Sequence, residues 1–379
     1  MLGIPGHVAK AISHSDGSYK GEHSSLRSAL YLPLFQRSPM VALAKVLIMR
    51  NHARFHLAAI LTAALFTGAT YSLSSTAAQA SQTSTAATAP THKPALAGIY
   101  AFNLGKFRIT ALSDGTLPLD LHPLLRGISP KQIDAMLQRG FARNPLETSI
   151  NAYLVDTGSR VVLVDTGAGE LFGSVGGKLP ESLAAAGYTP AQISDVLITH
   201  IHTDHSGGLT RGGQMMFPNA TIHVGQADVD FFLDRANLDK GLKPAHLEEA
   251  LKTVGPYQRA GKLKPFAVES EILPGITAIP TPGHTPGHSF FRVESEGESI
   301  DFWGDIMHVG LIQFARPEVT ITFDVNQNAA RAQRLEQFET AASEQRLSAV
   351  AHLPFPGIGH IRREAGRYEW VPAQYRNRD

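Results

Sequence analysis

The segment Thr199-His200-Ile201-His202-Thr203-Asp204-His205-Ser206-Gly207-Gly208 constrains this chain more than any other. It places three imidazoles and a carboxylate within six consecutive positions. Leu197 and Ile198 close an apolar run before it, and that run is predicted to be a buried strand. In an extended backbone alternate side chains share a face, so His200 and His202 are expected to point at one centre. Asp204 and His205 follow after the chain begins to turn and are expected to point at a second. Gly207 and Gly208 are expected to let the backbone turn sharply. Imidazole with carboxylate suits zinc and its first-row neighbours. A polar surface loop would rarely crowd four such donors at one strand end. The fold must therefore deliver a strand into a metal-binding loop.

Three further stretches supply matching donors. Thr281-Pro282-Gly283-His284-Thr285-Pro286-Gly287-His288 is pinned by proline and glycine after a predicted strand. His284 is expected to close the first centre with His200 and His202. His288 is the other candidate, with an outer hydrogen-bonding role if His284 ligates. Trp303-Gly304-Asp305 ends an apolar strand with a carboxylate. Asp305 is expected to bridge two divalent ions, although alone it reads equally as a turn cap. Ala351-His352-Leu353-Pro354 again sets one histidine at a strand end. His352 is expected to complete the second centre with Asp204 and His205. His360 reads as a loop residue, His223 and His246 read as ordinary, and His308 receives no role.

The rest of the chain bounds the setting. Its 379 residues allow one large domain with extensions, or two modest ones. A formal net charge of +1 gives no sign of a nucleic-acid or acidic-membrane partner. No cysteine is present, so thiolate ligands and disulfides are excluded. Residues 1–48 read as disordered or as sequence upstream of the true start. Residues 49–80 have the layout of a signal peptide: Arg50 and Arg54, an apolar run from Leu57 to Ala69, then Ala78-Gln79-Ala80. That run is too short for a bilayer-spanning helix, so no stable membrane anchor is expected. Residues 81–97 read as a linker and 98–379 as the catalytic domain. A periplasmic or secreted protein follows.

Within that domain strands and helices alternate, with hairpins mixed in. Ser113-Asp114-Gly115 is predicted to be a turn, Leu124 to Phe141 a helix, and Asn326 to Gln345 another. The pattern predicts mixed sheets covered by helices rather than one parallel array.

The set His200-x-His202-x-Asp204-His205, His284, Asp305 and His352 resembles the metallo-β-lactamase superfamily, from about Tyr100 to the C-terminus. Asp165 in Val164-Asp165-Thr166-Gly167 also matches that pattern, where such a residue supports the metal loop, and it reads as readily as a strand-end turn. Pro145-Leu146-Glu147-Thr148-Ser149, Phe355-Pro356-Gly357-Ile358-Gly359-His360-Ile361 and Tyr368-x-Trp370-Val371-Pro372 look like the methyl parathion hydrolase group and its lactonase relatives. The resemblance implies an α+β fold, an αββα four-layer sandwich of two mixed sheets flanked by helices, often a homodimer. It implies two divalent ions, zinc foremost, with manganese, cobalt or iron(II) fitting the same donors. His200, His202 and His284 would hold one, Asp204, His205 and His352 the other, and Asp305 would bridge.

Such a pair activates water near neutral pH and polarises a carbonyl or phosphoryl oxygen, with Asp204 available for proton transfer. Small-molecule lactones, esters or phosphotriesters are the implied substrates. Phe231, Phe232, Phe314 and Phe323 are candidate walls of an aromatic pocket, and equally candidate core residues. A zinc β-lactamase, a glyoxalase-type thioesterase and a mononuclear-iron sulfur dioxygenase share the scaffold. The thioesterase would need a basic patch that the sequence does not make obvious.

Overall fold

The computed structural model describes residues 97–376. The expected leader and nearly all of the expected linker lie outside the described residues. Fourteen strands build two seven-stranded sheets, and within each sheet the strands lie side by side in chain order. The first sheet holds β1 (Ile99–Leu104), β2 (Phe107–Leu119), β3 (Leu146–Asp156), β4 (Val161–Val164), β5 (Asp195–Ile198), β6 (Thr221–Gly225) and β7 (Leu263–Phe266). The second holds β8 (Ser270–Leu273), β9 (Ile276–Pro280), β10 (Ser289–Ser295), β11 (Glu298–Phe302), β12 (Leu347–Ala349), β13 (Ile358–Glu364) and β14 (Arg367–Pro372). β1 to β4 pair antiparallel, and β4 to β7 pair parallel. In the second sheet only β11 and β12 are parallel neighbours. Both sheets are therefore mixed, as predicted.

Alternation along the strands explains the layering. On β3, Tyr153 and Val155 pack between the sheets, while Ala152 and Leu154 face the opposite side. On β10, Phe291 enters the inter-sheet core and its neighbour Phe290 packs outward. A period of two sends successive side chains to opposite faces, so each strand feeds two cores. Outside the first sheet lie α2 (Leu179–Ala185) and α5 (Pro244–Thr253), which bury Leu183, Leu247 and Ala250 against it. Outside the second lies α6 (Gln327–Ser343), with Phe338 stacked on Trp303. The result is helix, sheet, sheet, helix. Truncating a fully buried core phenylalanine such as Phe291 to alanine would cost about 3–5 kcal/mol.

Two sequence expectations fail locally. Ser113-Asp114-Gly115 is no hairpin turn. It lies inside β2, where the register against β3 shifts between Ser113 and Gly115. Asp114 is buried and accepts backbone N–H groups of Ala168, Gly177 and Leu179, so the polar triplet marks a bulge that anchors a loop. The expected helix Leu124 to Phe141 is shorter. α1 spans Pro130–Arg139, started by a Ser129 capping box with Gln132. Leu125–Arg126 instead pairs as a strand with Thr320–Ile321. Among the described residues no helix is long and apolar enough to cross a membrane.

Candidate metal centre

The carboxyl ends of β4, β5, β9, β11 and β12 converge; the last four hand the chain to loops bearing donors, and β4 leads to Asp165 behind them. Beyond β5, His200 Nε2 and His202 Nδ1 come within 3.1 Å. Beyond β9, His284 Nε2 reaches 3.0 Å from the same His202 nitrogen. Asp305, beyond β11, sets Oδ2 3.2 Å from His284 Nε2 and 3.5 Å from His200 Nε2. Four donors therefore surround one point. Tetrahedral ligation at about 2.0–2.1 Å would space its donors by about 3.3 Å.

The second point is built alike. Asp305 Oδ1 lies 3.2 Å from His205 Nε2 and 3.0 Å from His352 Nε2. Asp204 Oδ2 lies 3.8 Å from His205 Nε2 and 3.5 Å from His352 Nε2. Asp305 thus offers one oxygen to each group, the arrangement expected of a bridging carboxylate. A second group of donors, Asp305, His308 and His352, also clusters there.

The outer nitrogens explain why these rings point inward. His205 Nδ1 donates to Asp165 Oδ2 at 2.8 Å and His284 Nδ1 to Asp324 Oδ1 at 2.8 Å. His352 Nδ1 donates to the Ser149 carbonyl at 2.9 Å. The Thr199 hydroxyl donates to Asp165 and accepts from His200 Nδ1 at 3.1 Å. A proton held on the outer nitrogen leaves the inner lone pair free for a cation. Buried His205 Nε2 and Asp305 Oδ1 lack any hydrogen-bond partner. Orphaned acceptors facing one centre are costly in a protein interior unless something satisfies them, and a divalent ion does so. The donor set therefore fits two divalent ions.

Electrostatics do not follow the two groups, since burial would lower His284 of the first yet Asp305 and Asp324 raise it to about 9. Burial pushes His200 and His202 well below the ordinary imidazole range, and neighbouring histidines add to this. Burial acts on His205 in the same direction, yet Asp305, Asp165 and Asp204 outweigh it and hold that ring well above the range. Burial would raise Asp305, but the surrounding histidines hold it well below the usual carboxylate range. Asp305 is a full carboxylate at neutral pH.

Local packing fixes the loops. Thr203–Ser206 forms one turn of helix, labelled α3, rather than a sharp bend. Gly207 and Gly208 have no need of unusual backbone angles. A Cβ on Gly207 would stand 2.3 Å from the Ala168 carbonyl oxygen, and one on Gly208 2.0 Å from that of Thr166. They are glycines because the Asp165 loop presses against them, which corrects the turning role expected of them. Asp228 on α4 (Gln226–Phe232) accepts from the Ile201 N–H at 2.9 Å, the Thr285 hydroxyl at 2.9 Å and the Gly287 N–H at 2.6 Å. It staples the loops bearing His200 and His284. Burial raises its carboxyl to about 6.

A family profile described as the Metallo-beta-lactamase superfamily matches residues 146–342. The chain belongs to the metallo-β-lactamase superfamily. Within that superfamily it is 30% identical over 170 residues to an N-acyl homoserine lactonase of a Bacillus species, covering 40% of this chain and 60% of the lactonase. It is 30% identical over 173 residues to the uncharacterized protein YobT of Bacillus subtilis (strain 168), covering 44% of this chain and 69% of YobT. Among solved structures, the hydrolase AbOPH of the β-lactamase superfamily is 36% identical, with a TM-score of 0.72 over 75% of this chain and 100% of AbOPH. AidC, a dizinc quorum-quenching lactonase solved with the product N-hexanoyl-L-homoserine, is 27% identical, with a TM-score of 0.68 over 74% of this chain and 99% of AidC.

As a metallo-β-lactamase superfamily member the chain is an enzyme of hydrolase type, and all seven residues singled out in the sequence meet around the two points. His288 takes the outer place: its Nε2 accepts the Asp305 N–H at 3.0 Å, and burial lowers it to about 3. His360 is an exposed strand residue remote from the centre, and His223 is buried against Asp195. Three readings need correction, the first being His360, expected in a loop and found in β13. His246 is not ordinary, since its ring lies 5.5 Å from that of His202 at the cavity wall. His308, given no role, is buried with Nε2 3.1 Å from Asp305 Oδ2 and its ring stacked on His352. A third-residue spacing from Asp305 was its only sequence signal. Phe231, Phe232 and Phe323 line the cavity over the centre, whereas Phe314 is a core residue stacked on Phe338 and Trp370. Asp324 and Asp228 gave no signal, because each reads in sequence as a helix-start acid.

Proposed function

We propose that this protein is a binuclear metal-dependent lactonase with esterase capacity. The carrying observation is Asp305, whose two oxygens face two separate donor triads over a cavity of about 540 Å³. His200, His202 and His284 would hold one cation, Asp204, His205 and His352 the other, with Asp305 shared. Bound there, a zinc pair supplies water activation near neutral pH and polarisation of the scissile oxygen.

The chain's own groups do the rest. Phe231, Phe232 and Phe323 give the acyl portion an apolar wall and exclude bulk water. His308, whose Nε2 lies 3.1 Å from Asp305 Oδ2, stands beside the reacting group as a polar contact. Water adds to the acyl carbon and the carbon–oxygen bond to the alcohol breaks. Asp204, whose side chain is 20% exposed towards the cavity, carries the proton from that water to the departing oxygen. The likeness to two lactonases supports a lactone over a phosphotriester as the better substrate.

Zinc-loaded protein assayed on acyl-homoserine lactones, aromatic lactones and methyl parathion tests this, with metal content measured alongside. Lactone turnover with two ions per chain is expected, with slower phosphotriester cleavage or none. Absence of lactone turnover would sink the proposal, and one iron per chain with oxygen uptake would replace it with a dioxygenase.

A further inference from the structure

One wall of the cavity has no part in the hydrolysis as drawn. α5 and the residue before it present Lys243, His246 and Glu249 to the cavity at three-residue spacing, which places them on one helix face. Lys240, closing the preceding turn Arg235–Lys240, lines the same wall. Glu249 accepts the Thr203 hydroxyl at 2.5 Å, and Thr203 stands between His202 and Asp204. The wall is therefore tied to the metal loop, and its lysines keep a set relation to the cluster.

The charge along this wall is unbalanced. Of the acids lining the cavity, Asp204 and Asp305 belong to the cluster and Asp324 is held by His284, while Glu249 accepts from the neutral Thr203 hydroxyl and keeps its charge, so two lysines face one carboxylate along this wall. Among the described residues no carboxylate pairs with Lys240 or Lys243 as Glu296 does with Lys106 or Asp301 with Arg292. The side chains of Phe231, Phe232 and Leu242 give the same cavity an apolar lining, with Phe232 against His202. The cavity is thus cationic at its rim, apolar along its length and, with two divalent ions against two ligand carboxylates, cationic at its floor.

From this we infer that the preferred substrate is a lactone or ester bearing a carboxylate on its non-reacting part. The scissile carbonyl sits at the cluster, the hydrocarbon portion lies on the aromatic wall, and the distal carboxylate meets Lys243 and Lys240. The inference deepens the hydrolase reading and rests on it for the position of the scissile bond. A neutral tail would use the apolar wall alone, and a cationic one would be repelled at both ends.

Binding of adipate against hexanoate to the two-zinc enzyme, by calorimetry, tests the wall without requiring turnover. Both acids place a six-carbon chain and one carboxylate at the cluster, and only adipate offers a second. Adipate should bind about 5-fold more tightly at low salt, as two exposed charge contacts allow, and the advantage should shrink at high salt. It should vanish in the double variant Lys240→Gln/Lys243→Gln, whose zinc content reports that the site is intact. With 4-nitrophenyl hydrogen adipate and 4-nitrophenyl hexanoate the same ratio should appear in KM rather than kcat. Equal affinities in the unaltered enzyme, or an advantage that survives in the double variant, would overturn the inference. An adipate advantage with no hydrolysis of any ester or lactone would leave the cationic wall standing and remove the lactonase reading instead.

Discussion

The two halves of the sandwich supply the centre in opposite ways. The first half gives four donors from one loop, His200 to His205, so their spacing is set by six residues of local backbone. The second half gives three donors, His284, Asp305 and His352, from three separate strand ends. Each triad takes two ligands from the first half and one from the second, and Asp305 joins them. The local loop therefore sets how far apart two cations would sit, while the scattered donors depend on the sheets being correctly docked. Cations bound there tie one sheet to the other, so metal binding and docking stabilise each other.

Asp305→Asn gives the sharpest test of that division, because it removes the only donor shared by both triads. Metal content should fall below two per chain, and lactone turnover should drop about 100-fold or more, beyond the usual effect of losing an outer partner. Unchanged stoichiometry and rate would mean that the halves are joined by something else. Next in size come the carboxylates behind the rings. Asp324→Asn should weaken the first triad alone, by about 10-fold in zinc affinity, since Asp324 holds only His284. Asp165→Asn should weaken both, because Asp165 holds His205 directly and His200 through Thr199. Zinc titration with two resolved sites reads the difference. Equal, single-site effects from the two variants would break the comparison.

The same contrast explains what the sequence disclosed. His200 to His205 was legible because spacing and period in one strand-loop determine where those side chains point. His284, Asp305 and His352 were legible as strand-end residues in rigid loops, their partnership followed from matching donor types, and the family resemblance agreed with it. Asp324, Asp228 and His308 were not legible. Their roles arise only when β9, β11 and the loop before α6 meet the first half, and no local pattern encodes that meeting. Asp114 was misread for a related reason: a polar Ser-Asp-Gly triplet signals a turn, but here its carboxylate gathers N–H groups from a loop more than fifty residues onward. The layering was legible, because alternation on the strands fixes two faces whatever they pack against.

Asp114 supplies the smallest and most local test, since it supports the first half alone. It anchors the loop whose Thr166 donates from both N–H and hydroxyl to the His205 carbonyl, at 2.7 and 2.8 Å. Burial raises its carboxyl from 3.8 to about 6, and the three N–H donors offset only part of that. A raised folded-state value means the fold favours the protonated acid. The stabilisation is complete below the unfolded value and is lost as pH rises through about 6. The interval corresponds to at most about 3 kcal/mol. Asp114→Asn does not titrate, so the melting temperature of the unaltered protein minus that of the variant should decline by several degrees between about pH 4 and about pH 7. Zinc content of the variant at neutral pH should stay at that of the unaltered protein, because asparagine keeps an oxygen that can accept the Ala168 and Gly177 N–H groups holding this loop. A difference that stays flat with pH would show that the Asp114 carboxyl is not held in the buried, proton-favouring environment from which the decline is derived.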